Sequence, residues 1–143
     1  MVRLQASTGY AFRILEYLYM YGKQTVKSGE LAEKLNLSSL YLMKVLRKLK
    51  ESGLVKSEQG CNGGYRMVRD ADRISVFEVF CAMEGELRLY EPQTDIRYNK
   101  EEQPIKEYFD KIEDVMVFSM RRTSLRELFD QSRNQRYPTP VAK

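Results

Sequence analysis

Residues 38–69 constrain this chain more than any other stretch. Leu42, Val45, Leu46 and Leu49 recur at i, i+3, i+4 and i+7, the spacing of a helix with one buried face. Tyr41, Lys44 and Lys48 fall on another face, which must meet water or phosphate. Ser38 or Ser39 can cap the first turn, and Gly53 can take the left-handed position just past the last. Two short strand-like runs follow, 55–58 and 65–68. Asn62-Gly63 between them signals a tight hairpin turn with positive backbone torsions. A basic amphipathic helix that runs into a glycine-rich hairpin reads as a recognition helix followed by a wing. Its length suits a major groove, so the expected partner is double-stranded DNA.

The preceding residues complete that motif. Residues 28–35 form a short helix with Leu31, Ala32 and Leu35 inward, and Asn36-Leu37 is the tight connection a helix-turn-helix needs. Ala32 is small where two helices must cross closely. Further upstream, Ser7 or Thr8 can cap a first helix whose stripe is Ala11, Ile14, Leu15 and Leu18, ending near Gly22. The order of these elements, rather than charge alone, separates this reading from a generic bundle kept soluble by lysines.

Charge is uneven along the 143 residues. Residues 1–80 carry 13 Lys+Arg against 8 Asp+Glu, whereas 81–143 carry 11 against 12, so the electropositive half is the one with the helix and hairpin. An apolar content of 43% supports an ordinary core. No apolar run approaches the ~20 residues that span a bilayer, and no signal-peptide region opens the chain, so a cytoplasmic location is expected. No enzyme is expected: there is no histidine, no phosphate loop of the G-x-x-x-x-G-K-[ST] kind, and no cysteine pair at metal-ligand spacing. Glu30 and Glu33 read as helix-surface charges, and two cysteines do not make a disulfide scaffold. No cofactor is expected.

In the second half, Ser75 and Glu78 form a capping box opening a helix that closes at Gly85. Val76, Val79, Phe80 and Met83 form its packed face, with Cys81 and Ala82 alongside. Residues 86–103 are charged, contain Pro92 and lack periodicity, which marks a linker or sensor loop. Pro104 suits the first turn of a long helix. Its stripe of Ile105, Tyr108, Phe109, Ile112, Val115 and Met116 is more apolar than the head readily covers, which favours a symmetric homodimer over packing within one chain. Ser124 and Glu127 form a second capping box for a short final helix with Leu125, Leu128 and Phe129 inward. The fold class is therefore mainly α with a small β-hairpin: a winged helix-turn-helix head plus a long dimerisation helix. Residues 1–85 form the head, 86–103 the linker, 104–131 the dimerisation and final helices, and 132–143 a flexible tail.

At these residues the chain resembles the Rrf2 family of bacterial winged-helix regulators, over nearly everything up to Phe129. The resemblance rests on Ser7-Thr8-Gly9-Tyr10-Ala11, Tyr41-Leu42, Leu46-Arg47-Lys48-Leu49 with Gly53-Leu54-Val55, and Gly63-Gly64-Tyr65-Arg66. Ile74-Ser75, Glu84-Gly85 and Thr123-Ser124-Leu125-Arg126-Glu127-Leu128 extend it. It implies a homodimeric transcription factor, usually a repressor, with the long helix crossed against its partner. Members that hold an iron–sulfur cluster carry three cysteines in the interval that is 86–104 here, and this interval has none. Cys61 and Cys81 match no part of that pattern, so a cluster is not expected. Met43 stands where relatives often have a glutamate, and Gln59 where the wing often has an arginine, so base preference should differ.

Both lines assign roles. Ser38, Ser39 and Tyr41 reach base edges or phosphates, with packing against the first helix as the alternative for the Tyr41 ring. Lys44, Arg47 and Lys48 position phosphates, and Gln59 and Arg66 act from the wing. Cys61 is an exposed thiol in a DNA-contacting turn whose modification would release DNA, a weaker reading. Two functions follow. One is a sequence-specific DNA-binding repressor answering a small-molecule or protein effector; the other is a winged-helix module that binds mainly another protein.

Overall fold

A computed structural model describes residues 1–93 and 99–136. Six helices and one hairpin follow in the order α1 (Ala6–Met20), α2 (Ser28–Leu35), α3 (Ser39–Glu51), β1 (Val55–Glu58), β2 (Gly64–Met67), a 3-10 turn (Ala71–Arg73), α4 (Val76–Glu84), α5 (Gln103–Arg122) and α6 (Leu125–Arg136). The apolar periods predicted for α1, α2 and α3 are their buried faces, and these residues share one core with Leu54, Val55, Ile74 and Val79. Asn36 takes the left-handed conformation (φ 53°) that ends α2, while the Leu37 N–H donates to the Ala32 carbonyl at 2.9 Å. The Ser38 hydroxyl caps α3 by accepting from the Tyr41 N–H at 3.2 Å, and Gly53 has φ +73° just past its end.

Three local expectations are corrected. Neither Ser7 nor Thr8 caps α1: the N-cap is Gln5, which makes no side-chain cap bond, and Thr8 lies buried inside the first turn. The two-residue Asn62-Gly63 turn is replaced by a five-residue loop, because Glu58 pairs with Gly64 and Val55 with Met67. Within that loop the Gly63 N–H donates to the Gly60 carbonyl at 3.0 Å, and the positive torsions fall on Gly60 and Gly64 instead. The reason is tertiary. Val26 bridges to Tyr65 through a reciprocal pair of backbone hydrogen bonds (2.9 and 2.8 Å), so the α1–α2 connection is tied to the open edge of β2 by a one-residue bridge. A Cβ on Gly64 would stand 2.6 Å from the Val26 carbonyl oxygen. Finally, Cys81 is exposed rather than packed.

The two capping boxes are present and lie side by side. Ser75 and Glu78 exchange bonds at 2.9 and 3.2 Å, Ser124 and Glu127 at 3.2 and 3.1 Å. Between them the Val76 N–H donates to the Thr123 carbonyl and the Leu125 N–H to the Ile74 carbonyl, so α4 and α6 start from one short bridge. Burial works against charge on Glu78, yet Arg69 and the Ser75 backbone N–H hold its carboxyl below the usual range. From the bridge α6 returns onto the head: Leu125 and Phe129 are buried in the core, the Phe129 ring lies 5.7 Å from that of Tyr19, and Leu128 is half-buried. The helix continues to Arg136, past residue 132 where the tail was expected to begin; residues 137–143 lie outside the described residues.

α5 packs on α4 by one side only. Glu113 is its buried residue, accepting from the Leu89 N–H at 2.5 Å, with Arg88 3.8 Å away. Phe109, expected in the dimer stripe, instead stacks on Tyr90 of the same chain at 5.7 Å. Ile105, Tyr108, Val115 and Met116 remain exposed and Ile112 half-buried. No helix of the described residues is long and apolar enough to cross a membrane.

Candidate nucleic-acid interface

With Leu42, Val45, Leu46 and Leu49 turned inward, helical geometry puts Leu40, Met43, Lys44 and Arg47 on the outer face of α3, again at i, i+3, i+4 and i+7. Leu40 is 78% exposed and Met43 43% exposed. Leu40 was missed by sequence reasoning. Its signal was an apolar residue off the period of the buried face, beside the N-cap. Ser38 and Ser39 are exposed at the same end. The Ser38 oxygen is occupied as an acceptor, which leaves its proton free to donate.

Tyr41 packs against the first helix. Its half-buried ring meets Tyr10 of α1 edge-on at 5.6 Å, and the Arg13 guanidinium lies 5.4 Å from the Tyr10 ring. Lys44 and Lys48 line a groove of about 310 Å³ with Gln5, Ala6 and Ser7 at the start of α1, Tyr41 and Val45 of α3, and Met83 of α4. Arg47 pairs with Glu51 at 3.0 Å, one turn on, with both side chains largely in water. Such a pair contributes ~0.3–0.5 kcal/mol, so a phosphate can replace the carboxylate readily. Arg66 pairs with Glu58 across the hairpin at 2.7 Å. Gln59 is exposed at the start of the wing loop, and Cys61 is exposed within it. The wing rests against α3 through the Tyr65 hydroxyl, 3.9 Å from the Met43 sulfur. The Thr25 hydroxyl anchors the loop by donating to the Asn62 carbonyl at 2.7 Å.

Two more cations flank the wing. Lys23 and Lys27, on the α1–α2 connection, line a groove of about 550 Å³ that reaches Cys61 and Asn62. The two acids there are already engaged. Glu58 holds Arg66, while Glu30 accepts from the Tyr17 and Tyr21 hydroxyls at 2.9 Å each. The Tyr21 bond first and the Tyr17 bond second hold Glu30 below the usual carboxylate range; the Tyr21 contact, with burial and Glu30, pushes the Tyr17 phenol up. Among the described residues neither lysine has an ion pair. Sequence order hid these positions, because the Val26–Tyr65 bridge and the Thr25 bond to the wing loop bring them beside the wing.

The sequence profile of Rrf2, described as an iron-dependent transcriptional regulator, matches residues 4–131. The chain belongs to the Rrf2 family. It is 36% identical over 90 residues to Protein aau3 of Rhizobium meliloti, covering 63% of this chain and 58% of that protein. It is 28% identical over 116 residues to the HTH-type transcriptional regulator CymR of Bacillus subtilis, 80% of each. The structure of B. subtilis CymR, titled the global cysteine regulator, superposes with a TM-score of 0.75 at 26% identity, covering 92% of this chain and 98% of that one. T. potens IscR shares the fold, with a TM-score of 0.74 at 21% identity over 96% of this chain and 93% of that one. This chain is thus a winged-helix DNA-binding transcriptional regulator.

The iron in the family description does not fit the donors present. The chain has no histidine, and among the described residues no three Cys, Asp or Glu side chains are grouped to hold a metal ion. Cys61 lies in the wing loop and Cys81 on α4, where partial desolvation of its otherwise exposed thiol pushes it up despite Arg121 nearby. In the interval where relatives place cluster cysteines, Glu113, Arg88 and the Tyr90–Phe109 stack fasten the linker to α5.

Proposed function

We propose that two copies of this Rrf2-family chain associate through the exposed stripe of α5 and bind one duplex as a symmetric dimer. The protein then acts in the cytoplasm as a repressor relieved by a small-molecule or protein effector. The observation that carries this reading is the outer face of α3, where Leu40, Met43, Lys44 and Arg47 stay uncovered beside the wing while the opposite face fills the core. Leu40 and Met43 suit thymine methyl groups, and Ser38 and Ser39 suit base edges or phosphates at the helix start. Lys44, Lys48 and Arg47 released from Glu51 neutralise phosphates; Gln59 and Arg66 act from the wing. Ile105, Tyr108, Ile112, Val115 and Met116 supply the contact between copies, and Phe109 supports it from behind.

Fluorescence anisotropy with a duplex recovered from genomic selection tests the reading. Affinity falls with salt, with a slope of about −0.9 per neutralised phosphate, and replacing Lys44 and Lys48 by alanine makes that slope about two units shallower for every sequence alike. Half-site centres lie roughly 34–36 Å apart or at a multiple of that distance. A flat salt titration, or no duplex recovered, sinks it.

A further inference from the structure

α1 begins without a cap of its own, since Gln5 makes no side-chain cap bond and the N–H groups of a first helical turn need partners. The partner comes from the far end of the head. Glu84 Oε1 accepts from the Gln5 backbone N–H at 2.6 Å and from the Thr8 hydroxyl at 2.7 Å, and Oε2 accepts from the Gln5 side-chain amide at 3.2 Å. Thr8 is fully buried, so one arm of this clamp is sealed from water. The Thr8 bond first, and then the Gln5 bonds and the nearby Lys48 charge, hold the Glu84 carboxyl below its usual range.

Two structural relations give the clamp its meaning. Gln5, Ala6 and Ser7 form one wall of the groove whose other wall carries Lys44 and Lys48, so the clamp fixes the edge that lies beside the proposed phosphate contacts. Glu84 is also the last residue of α4. Gly85 follows with φ +80°, at the corner where the chain leaves the head for the linker and α5.

We infer that Glu84 is a positioning residue that couples the linker corner to the DNA-facing edge: it holds the start of α1 against the end of α4, beside α3, and displacement of the corner releases that edge and weakens DNA binding. This rests on the DNA-binding reading above. A ligand or partner that moves the linker then changes the grip of each head as well as the distance between heads.

The test uses the full chain and the variants Glu84→Gln and Gln5→Ala. Glu84→Gln keeps the side-chain shape and removes the charge that strengthens all three bonds. The expected result is DNA affinity about tenfold weaker, the scale of one charge-assisted hydrogen bond, with α3 amide protection as in wild type and faster exchange at amides 5–9. Coupling has its own readout. By reciprocity DNA slows amide exchange at residues 85–89 in wild type, and in Glu84→Gln that slowing disappears even at saturating DNA, which a merely structural role does not predict. If Glu84 acted only as a negative charge near phosphates, its removal would tighten binding; tightening or no change in a folded variant overturns the inference. Should Glu84→Gln unfold, the exposed Gln5→Ala decides, with the same direction at smaller size expected and unchanged affinity overturning it. Wild type that binds no DNA sinks the underlying reading; wild type that binds as its variants do sinks only the clamp.

Discussion

Replacing Gly64 with alanine tests how the wing is attached. Gly64 has φ +145°, in a region essentially reserved for glycine, where another residue costs ~1–3 kcal/mol. An added Cβ would also stand 2.6 Å from the Val26 oxygen and 2.7 Å from its carbonyl carbon, both backbone atoms that cannot swing aside. Relief requires β2 to move off Val26, and the two backbone bonds between Val26 and Tyr65 go with it. Those contribute about 1 kcal/mol each. The sum is roughly 3–5 kcal/mol, a large share of the ~5–15 kcal/mol that holds a domain folded. Urea unfolding should show a midpoint lower by about 1 M or more at unchanged slope. Gly9→Ala is the control: it lies within α1 with nothing inside 4 Å of its added Cβ, and should be neutral or stabilising by up to ~1 kcal/mol. Wild-type stability in Gly64→Ala, or an equal loss in Gly9→Ala, would refute the argument that Val26 holds the wing.

Val115→Lys probes self-association more cleanly than a change at half-buried Ile112, because Val115 is 65% exposed in the single chain. Each copy loses ~1–2 kcal/mol of apolar burial and gains a charge inside the contact, so sedimentation should show monomers and DNA affinity should fall to that of one head; a dimer of wild-type strength would dismiss the stripe. Replacing Lys23 and Lys27 by glutamine should make the salt dependence of DNA binding shallower by about two units without changing sequence preference, and an unchanged slope would remove the α1–α2 connection from the interface. Acid should act through Glu30, Glu78 and Glu84, whose carboxyls are held below the ordinary range near about 4.3. Because a depressed folded pKa stabilises above the unfolded value, thermal stability should hold from pH 7 to about 5 and decline as the pH falls through the depressed values. A thermal midpoint constant down to about pH 2.5 would show that these bonds contribute nothing.

By itself the sequence determined whatever is settled within one or two helical turns. The inward period of α3, the tight Asn36-Leu37 connection and both capping boxes involve partners three to seven residues apart, and chain geometry alone brings these together. The helix-turn-helix order was legible for the same reason. Tertiary structure alone decided matters whose partners lie far along the chain. Glu84 reaches Gln5 across 79 positions, the wing takes its loop from contact with Val26, Phe109 stacks on Tyr90, and Phe129 closes a core begun by α1. A period says which face of a helix avoids water, but not which surface covers it. For Phe129 that surface is the chain's own head, whereas Ile105, Tyr108, Val115 and Met116 of α5 find no cover within one copy. Burial against a distant surface is a property of the assembled core, and it sets the difference between a helix that completes the head and one whose apolar stripe stays uncovered.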